Sequence, residues 1–356
     1  MNTRDPLRKQ RIAFIPGDGI GIEVTAEAIK ALEALINTHN LAIDYQVFDW
    51  GAEKYLREGI SLPEGAFDMF RREYAAIFIG ALGDPRVPSN QHAADILLGT
   101  RFNLDLYVNQ RPVKLLDARL CPLKNRSEKD VDFVIFRENT EGLYVGMGGV
   151  FKKDTPDEVA VQEDVNTRKG VERILVHAFE YASARGLTRV CMSDKANALP
   201  FGHGLWQRAF AEVRKRYPAI ESRHLYVDTL NMELVRDPSQ FQVIVTCNMF
   251  GDILSDLGAA LQGGLGLAPS ANVHPGQVSM FETVHGSAPN IAGRNVANPM
   301  AAVLTVGMML EHLGHAEAAS RAEAVVRDAI RENVTTPDLG GTSGTREVGD
   351  RIAARL

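Results

Sequence analysis

Cysteine is scarce in this 356-residue chain. Cys121, Cys191 and Cys247 are the only three, and none lies in a CxxC spacing. That excludes a disulfide framework and a cysteine-built zinc site, and leaves reduced core thiols as the expectation. Long apolar runs are missing as well. None approaches the ~20 residues of a membrane-spanning helix, so no membrane partner is expected. The start, MNTRDPLRKQRIAFIPGDG, has charge but no apolar stretch ahead of a cleavage site. It reads as a cytoplasmic protein without a secretory leader. Excess positive charge is also lacking: 39 Lys and Arg stand against 45 Asp and Glu, a net charge of −6. A general nucleic-acid binder would be basic, so that partner class is set aside. No internal repeat, low-complexity tract or linker interrupts the chain.

What is present is ordinary globular composition, 45% hydrophobic and 24% charged. The length suggests two domains at ~150 residues each. Short apolar runs at Arg11–Ile15, Ile43–Phe48, Tyr74–Ile79, Val131–Phe136, Arg189–Met192 and Val243–Thr246 read as strands. Helical periodicity marks Val24–Ile36, Gly170–Arg185, Trp206–Arg216, Met300–Leu313 and Ala316–Arg331. Strands alternating with helices predict an α/β protein with a largely parallel sheet.

Several segments carry chemistry. Pro16–Gly21, PGDGIG, lies between a strand and a helix but lacks the GxGxxG spacing of a dinucleotide fingerprint. It reads as a tight turn in which Asp18 caps the helix. In NMFGDILSD, Asp252 and Asp256 are four apart, so a helix projects both carboxylates from one face. Like charges there repel unless a cation sits between them, and Mg²⁺ or Mn²⁺ suits oxygen ligands; the alternative is a solvated acidic face. Phe281–Pro289, FETVHGSAP, reads as a loop of small residues open to a ligand, or as a surface turn. Arg101, Arg111 and Arg137 are singly surface charges, but beside a metal they would frame a small polycarboxylate. Tyr144 and Lys195 are candidate acid and base whose ordinary pKa values are too high for neutral-pH work, unless a metal or arginines lower them.

Taken in order, IPGDGIG, LYVNQRPVKLL, FRENTEGLYVG, SDKAN, Val227-Asp228, NMFGDILSD, GGLGLAPS, FETVHGSAPNIAG, ANP and TPDLGG resemble the isocitrate/isopropylmalate dehydrogenase family of metal-dependent β-decarboxylating dehydrogenases. The resemblance spans Ile15 to Gly341. It implies a two-domain α/β fold of the isopropylmalate-dehydrogenase type with a mixed sheet, not a standard Rossmann fold. Residues 1–106 and 265–356 would form a cofactor-binding domain. Residues 107–264 would form a dimerisation and metal/catalytic domain, with substrate in the cleft. Arg101, Arg111 and Arg137 match the substrate clamp, and Asp228, Asp252 and Asp256 match the metal carboxylates, Asp228 also facing substrate. Tyr144 and Lys195 match the catalytic pair. Glu282, His285, Gly286, Ser287, Ala288, Pro289, Asn290 and Asn298 match the adenosine-binding region. Lys195 and Asp228 would reach the site of a neighbouring subunit, which implies a homodimer with shared active sites. NAD, a divalent metal and a malate-type small molecule are the implied ligands, and leucine biosynthesis the implied setting.

The helix carrying Ala94, Leu97, Leu98 and Arg101 on one face would select the substrate's C3 substituent. Isocitrate enzymes have Ser and Asn where this chain has Asp95 and Leu97, so a γ-carboxylate would lack a partner. The leucines resemble the isopropylmalate type. Ala94, however, stands where that type has Glu. Tartrate and D-malate enzymes also lack that Glu and are the alternative, with a catalytically silent ligand-binding homologue the alternative of another class. Asn290 replaces the Asp of NAD-using relatives and the Lys of NADP-using ones. It can still bond ribose hydroxyls, which favours NAD.

Overall fold

The computed structural model describes residues 9–356. Met1–Arg8, part of the charged start read as having no leader, lie outside the described residues. The order begins β1 (Gln10–Gly17), α1 (Ile20–His39), β2 (Ile43–Val47), α2 (Ala52–Glu58), α3 (Ala66–Glu73), β3 (Ala76–Ala81), α4 (Gln91–Asn103). It continues β4 (Val108–Lys114), β5 (Asp132–Glu138), β6 (Gly148–Phe151), β7 (Val159–Gln162), α5 (Arg168–Ala184), β8 (Arg189–Asp194), α6 (Gly202–Val213). Then come β9 (Glu221–Tyr226), α7 (Val227–Arg236), β10 (Val243–Thr246), α8 (Asn248–Gln262), β11 (Pro269–Val273) and β12 (Ser279–Thr283). Three helices close the chain: α9 (Met300–His312), α10 (Ala316–Arg331) and α11 (Thr345–Ala353). None of the described helices is long and apolar enough to cross a membrane.

The chain divides into two compact units. The first holds the chain up to Leu106 together with Leu115–Glu128 and Ala259–Leu356. Its strands run β2-β1-β3-β12-β11, parallel except for the antiparallel β11–β12 pair. Ile12, Ala13, Phe14 and Ile15 on β1 are fully buried, so both faces of the strand are covered, as a continuous apolar run demands. α1 packs on α9 and α11, and α9 packs on α10. α1 stops at Asn40, whose left-handed φ of 50° turns the next N–H, of Leu41, onto the Ile36 carbonyl at 3.0 Å.

The second unit comprises Tyr107–Lys114 and Lys129–Gly258. Its strands run β4-β5-β10-β8-β9, with β4–β5 antiparallel and the rest parallel. α5 starts at Thr167, whose side chain accepts the Gly170 N–H, and packs on α6. β6 and β7 form a separate antiparallel hairpin.

Two expectations change. The FETVHGSAP run is not all loop, because Phe281, Glu282 and Thr283 end β12 and are buried. Of the cysteines, none of which is bridged, Cys191 and Cys247 are buried, whereas Cys121 is only half-buried.

Candidate active site

In the second unit, β4 and β5 present Arg111 and Arg137, and the first turns of α8 present Asn248 and Asp252. Arg137 is almost fully buried; its Nε donates to Asn248 Oδ1 at 2.8 Å and its Nη1 to Asp252 Oδ1 at 2.5 Å. Arg111 Nη1 lies 3.4 Å from the same Asp252 oxygen and donates to Ser255 Oγ. Gly251 makes room for this, since a Cβ there would stand 2.5 Å from the Arg137 Cβ. Tyr144 Oη donates to Asp252 Oδ2 at 3.2 Å, and the Arg137 guanidinium lies 5.4 Å from the Tyr144 ring centre. Four expected residues, Arg111, Arg137, Tyr144 and Asp252, thus form one cluster. Asn248 and Ser255, from the same NMFGDILSD run, complete it.

The Tyr144 phenol is pushed up rather than down. Partial burial is the main cause and the Asp252 carboxylate adds to it; Arg137 and Arg111 oppose without prevailing. The expectation that arginines lower it therefore fails in the chain by itself. Such a phenol keeps its proton at neutral pH and is a donor in waiting.

Lys195 follows β8, and Asp228 opens α7 after β9. Lys195 Nζ donates to Asp228 Oδ1 at 2.5 Å, and this bond is the first cause of the lowered Asp228 pKa. Asp256, one turn beyond Asp252, is exposed. Among the described residues, no three His, Cys, Asp or Glu side chains converge to hold a metal ion. Asp252 and Asp256 nonetheless offer hard oxygen donors from one helix face. Asp252 is 41% exposed, which leaves it open to a divalent cation.

In the first unit, the PGDGIG turn meets the HGSAP run. Ile20 N–H donates to the Ser287 carbonyl at 2.8 Å. Gly19 has φ 55°, and a Cβ there would fall 2.0 Å from that oxygen. Asp18 does not cap α1. Its carboxylate accepts Ala52 N–H at 2.6 Å and Gly83 N–H at 2.8 Å, and it bonds the buried His92 Nε2 at 2.7 Å. His285 Nδ1 meets the Gly286 carbonyl at 3.0 Å, Ala288 takes a positive φ of 38°, and Pro289 and Asn290 are exposed. Asn298 accepts Met300 N–H at 3.0 Å and donates to Asp338 at 3.0 Å. Glu282 Oε1 takes Arg101 Nη2 and Asn272 Nδ2, both at 2.7 Å, so this carboxylate holds the expected clamp arginine. On α4, Leu97 and Leu98 are half-buried, with Leu97 touching the apolar core of its unit. Asp95 is engaged by Ser61 Oγ at 2.6 Å and Gln91 at 2.7 Å.

The sequence profile of isocitrate/isopropylmalate dehydrogenase matches residues 11–352. The chain belongs to the isocitrate/isopropylmalate dehydrogenase family. It is 45% identical over 351 residues to a 3-isopropylmalate dehydrogenase of Thermobifida fusca, covering 98% of each chain. It is 44% identical over 348 residues to that of Nocardia farcinica, covering 97% of this chain and 100% of the other. The crystal structure of isocitrate dehydrogenase from Methylococcus capsulatus superposes with a TM-score of 0.88 at 38% identity, over 97% of this chain and 99% of that one. The isopropylmalate dehydrogenases among these relatives are NAD-dependent decarboxylating dehydrogenases that use Mg²⁺ or Mn²⁺ and act on a small molecule.

Proposed function

We propose that this chain oxidises 3-isopropylmalate with NAD and releases CO₂, as a cytoplasmic homodimer in leucine biosynthesis. The observation that carries the chemistry is the Asp252 carboxylate set between Arg111, Arg137 and the Tyr144 hydroxyl. The substrate choice rests on Leu97 and Leu98 in α4, and on curated relatives at 45% and 44% identity.

Each residue then has one task. Arg101, Arg111 and Arg137 bind and orient the malate carboxylates, which removes much of the entropy cost of alignment. Lys195 takes the C2 hydroxyl proton while C2 gives up its hydride. Tyr144, still protonated at neutral pH, delivers a proton to C3 once CO₂ has left. Asp252 and Asp256, with Asp228 from the partner subunit, would hold the metal; Asp228 also faces the substrate. When bound, Mg²⁺ or Mn²⁺ supplies Lewis acidity that acidifies the C2 hydroxyl and offsets negative charge as CO₂ departs, and NAD supplies the hydride acceptor. The first unit is assigned the cofactor: Glu282, His285, Gly286, Ser287, Ala288, Pro289, Asn290 and Asn298 receive the adenosine end, with Asn290 bonding ribose hydroxyls.

The dimer is supported by an unpartnered apolar surface. Phe151, Val159 and Val161 lie exposed on one face of the β6–β7 hairpin and Val150 on the other, and a lone two-stranded hairpin is marginal in water. A second copy of the hairpin would cover them. Dimerisation would also complete the metal ligands that one chain does not gather.

The test is NADH formation followed by ultraviolet absorbance. Wild type should reduce NAD with 3-isopropylmalate only when Mn²⁺ or Mg²⁺ is added, and Lys195→Met should lower the rate by at least about a thousandfold. Absence of NADH with every malate tried, or undiminished turnover in Lys195→Met, would overturn the reading.

A further inference from the structure

Lys195 stands where β8 leaves the sheet. The β8–β9 ladder ends at Asp194 opposite Tyr226, so the next backbone N–H has no strand to donate to. A part-buried amide left without an acceptor costs stability and lets the chain drift. Here it is taken by a side chain: Lys195 N–H donates to His203 Nδ1 at 2.8 Å.

His203 is built for that task. It is 2% exposed on α6, and burial pushes its pKa down, so the ring stays neutral and Nδ1 keeps a lone pair. The proton then sits on Nε2, which faces Asp164 Oδ2 at 3.7 Å. The Phe250 ring, on the helix that carries Asp252, packs edge-to-face with the imidazole, their centres 5.2 Å apart. The residues on either side of Lys195 are anchored too. Ser193 O accepts Thr246 Oγ1 at 2.8 Å, and Asp194 accepts Ala196 N–H at 2.9 Å. Asp194 is in turn held by Gln207 at 2.7 Å and His224 at 3.1 Å. Lys195 itself is left with a half-exposed side chain whose Nζ reaches Asp228.

We propose that His203 is a positioning residue for Lys195: by accepting its amide, His203 fixes the backbone from which Nζ is aimed. This rests on the reading of Lys195 as the base, and the experiment separates the two. A mis-set base slows the proton-transfer step while leaving the carboxylate-binding arginines and the cofactor loops in place. The loss should therefore fall on kcat and not on KM.

Two substitutions in the full-length protein test this. His203→Phe keeps the ring volume and removes the acceptor; His203→Asn places an amide oxygen near the Nδ1 position. Both are read by steady-state kinetics with 3-isopropylmalate and by hydrogen exchange of the Ser193–Leu199 segment. His203→Phe should lower kcat about tenfold with either KM changed less than about twofold, since orientation is what is lost. Exchange of the segment should rise at least about tenfold, and His203→Asn should recover most of both. Wild-type kcat and exchange in His203→Phe, a fall confined to KM, or no recovery in His203→Asn would overturn the proposal. If wild type reduces no NAD, the reading of the reaction fails, and the exchange comparison still decides whether His203 fixes the Lys195 backbone.

Discussion

At Asp252 one carboxylate meets two guanidinium groups and a phenol, and the consequence is visible in Tyr144. Burial and Asp252 hold the phenol protonated, which suits a residue that must give a proton late in the reaction. Close by, Glu138 is buried beside Arg137 and accepts Thr140 N–H, Thr140 Oγ1 and Glu141 N–H, the last at 2.7 Å. Its burial raises the carboxyl above its ordinary 4.5, although those hydrogen bonds pull the other way. The folded chain therefore holds this proton more tightly than the unfolded chain. Stability from this group is present at low pH and declines as pH rises from about 4.5 through the raised folded value. Denaturant unfolding of Glu138→Gln across that window should show a smaller decline with pH than wild type; an identical slope would mean Glu138 does not set it. Such roles were not legible in the sequence. Asp18 read as a helix cap, yet it ties together Ala52, Gly83 and His92, residues 34 to 74 positions away. Long-range partners of a buried carboxylate leave no local spacing to read.

α4 carries the substrate question. Ala94, Leu97, Leu98 and Arg101 lie at helical spacing, and Arg101 is held by Glu282. Replacing Leu97 with Asn should lower kcat/KM for 3-isopropylmalate by roughly 10- to 200-fold, about 1–3 kcal/mol, and change the D-malate value much less. Parallel kinetics on the two substrates would read this, and an unchanged ranking would remove Leu97 from substrate choice. Helices were the most legible elements: Ala316–Arg331 has the same bounds in the sequence and in the structure, because its apolar stripe has one period. Central strands such as Val243–Thr246 showed as short apolar runs. Others did not. β4 contains Pro112 and β11 begins with Pro269, residues that demote a strand on sequence grounds. The β6–β7 hairpin has both strands fully exposed, so no buried-face alternation marks it.

The molecule as a whole is two units, each with a five-stranded portion of sheet. Its family was legible because ten motifs run through the chain in order; its assembly was legible only through that resemblance. If each site draws Lys195 from one chain and Tyr144 from another, two defective chains can repair each other. Mixing Lys195→Met with Tyr144→Phe subunits should return activity to up to about half of wild type in purified heterodimers, because one of two sites is then intact. Heterodimers as inactive as the parents would place all catalytic groups in one chain.

The central claim is that this site oxidises a malate with an apolar C3 substituent. A competition measures it directly: equal concentrations of 3-isopropylmalate, D-malate, tartrate, isocitrate and homoisocitrate, with limiting NAD and saturating Mn²⁺, and the products identified by mass spectrometry. The leucines of α4 predict that the decarboxylated keto acid from 3-isopropylmalate exceeds that from isocitrate by at least about tenfold, the value of burying an apolar group against leaving a γ-carboxylate unpaired. A mixture dominated by the isocitrate product, or one in which no malate is consumed, would contradict the account.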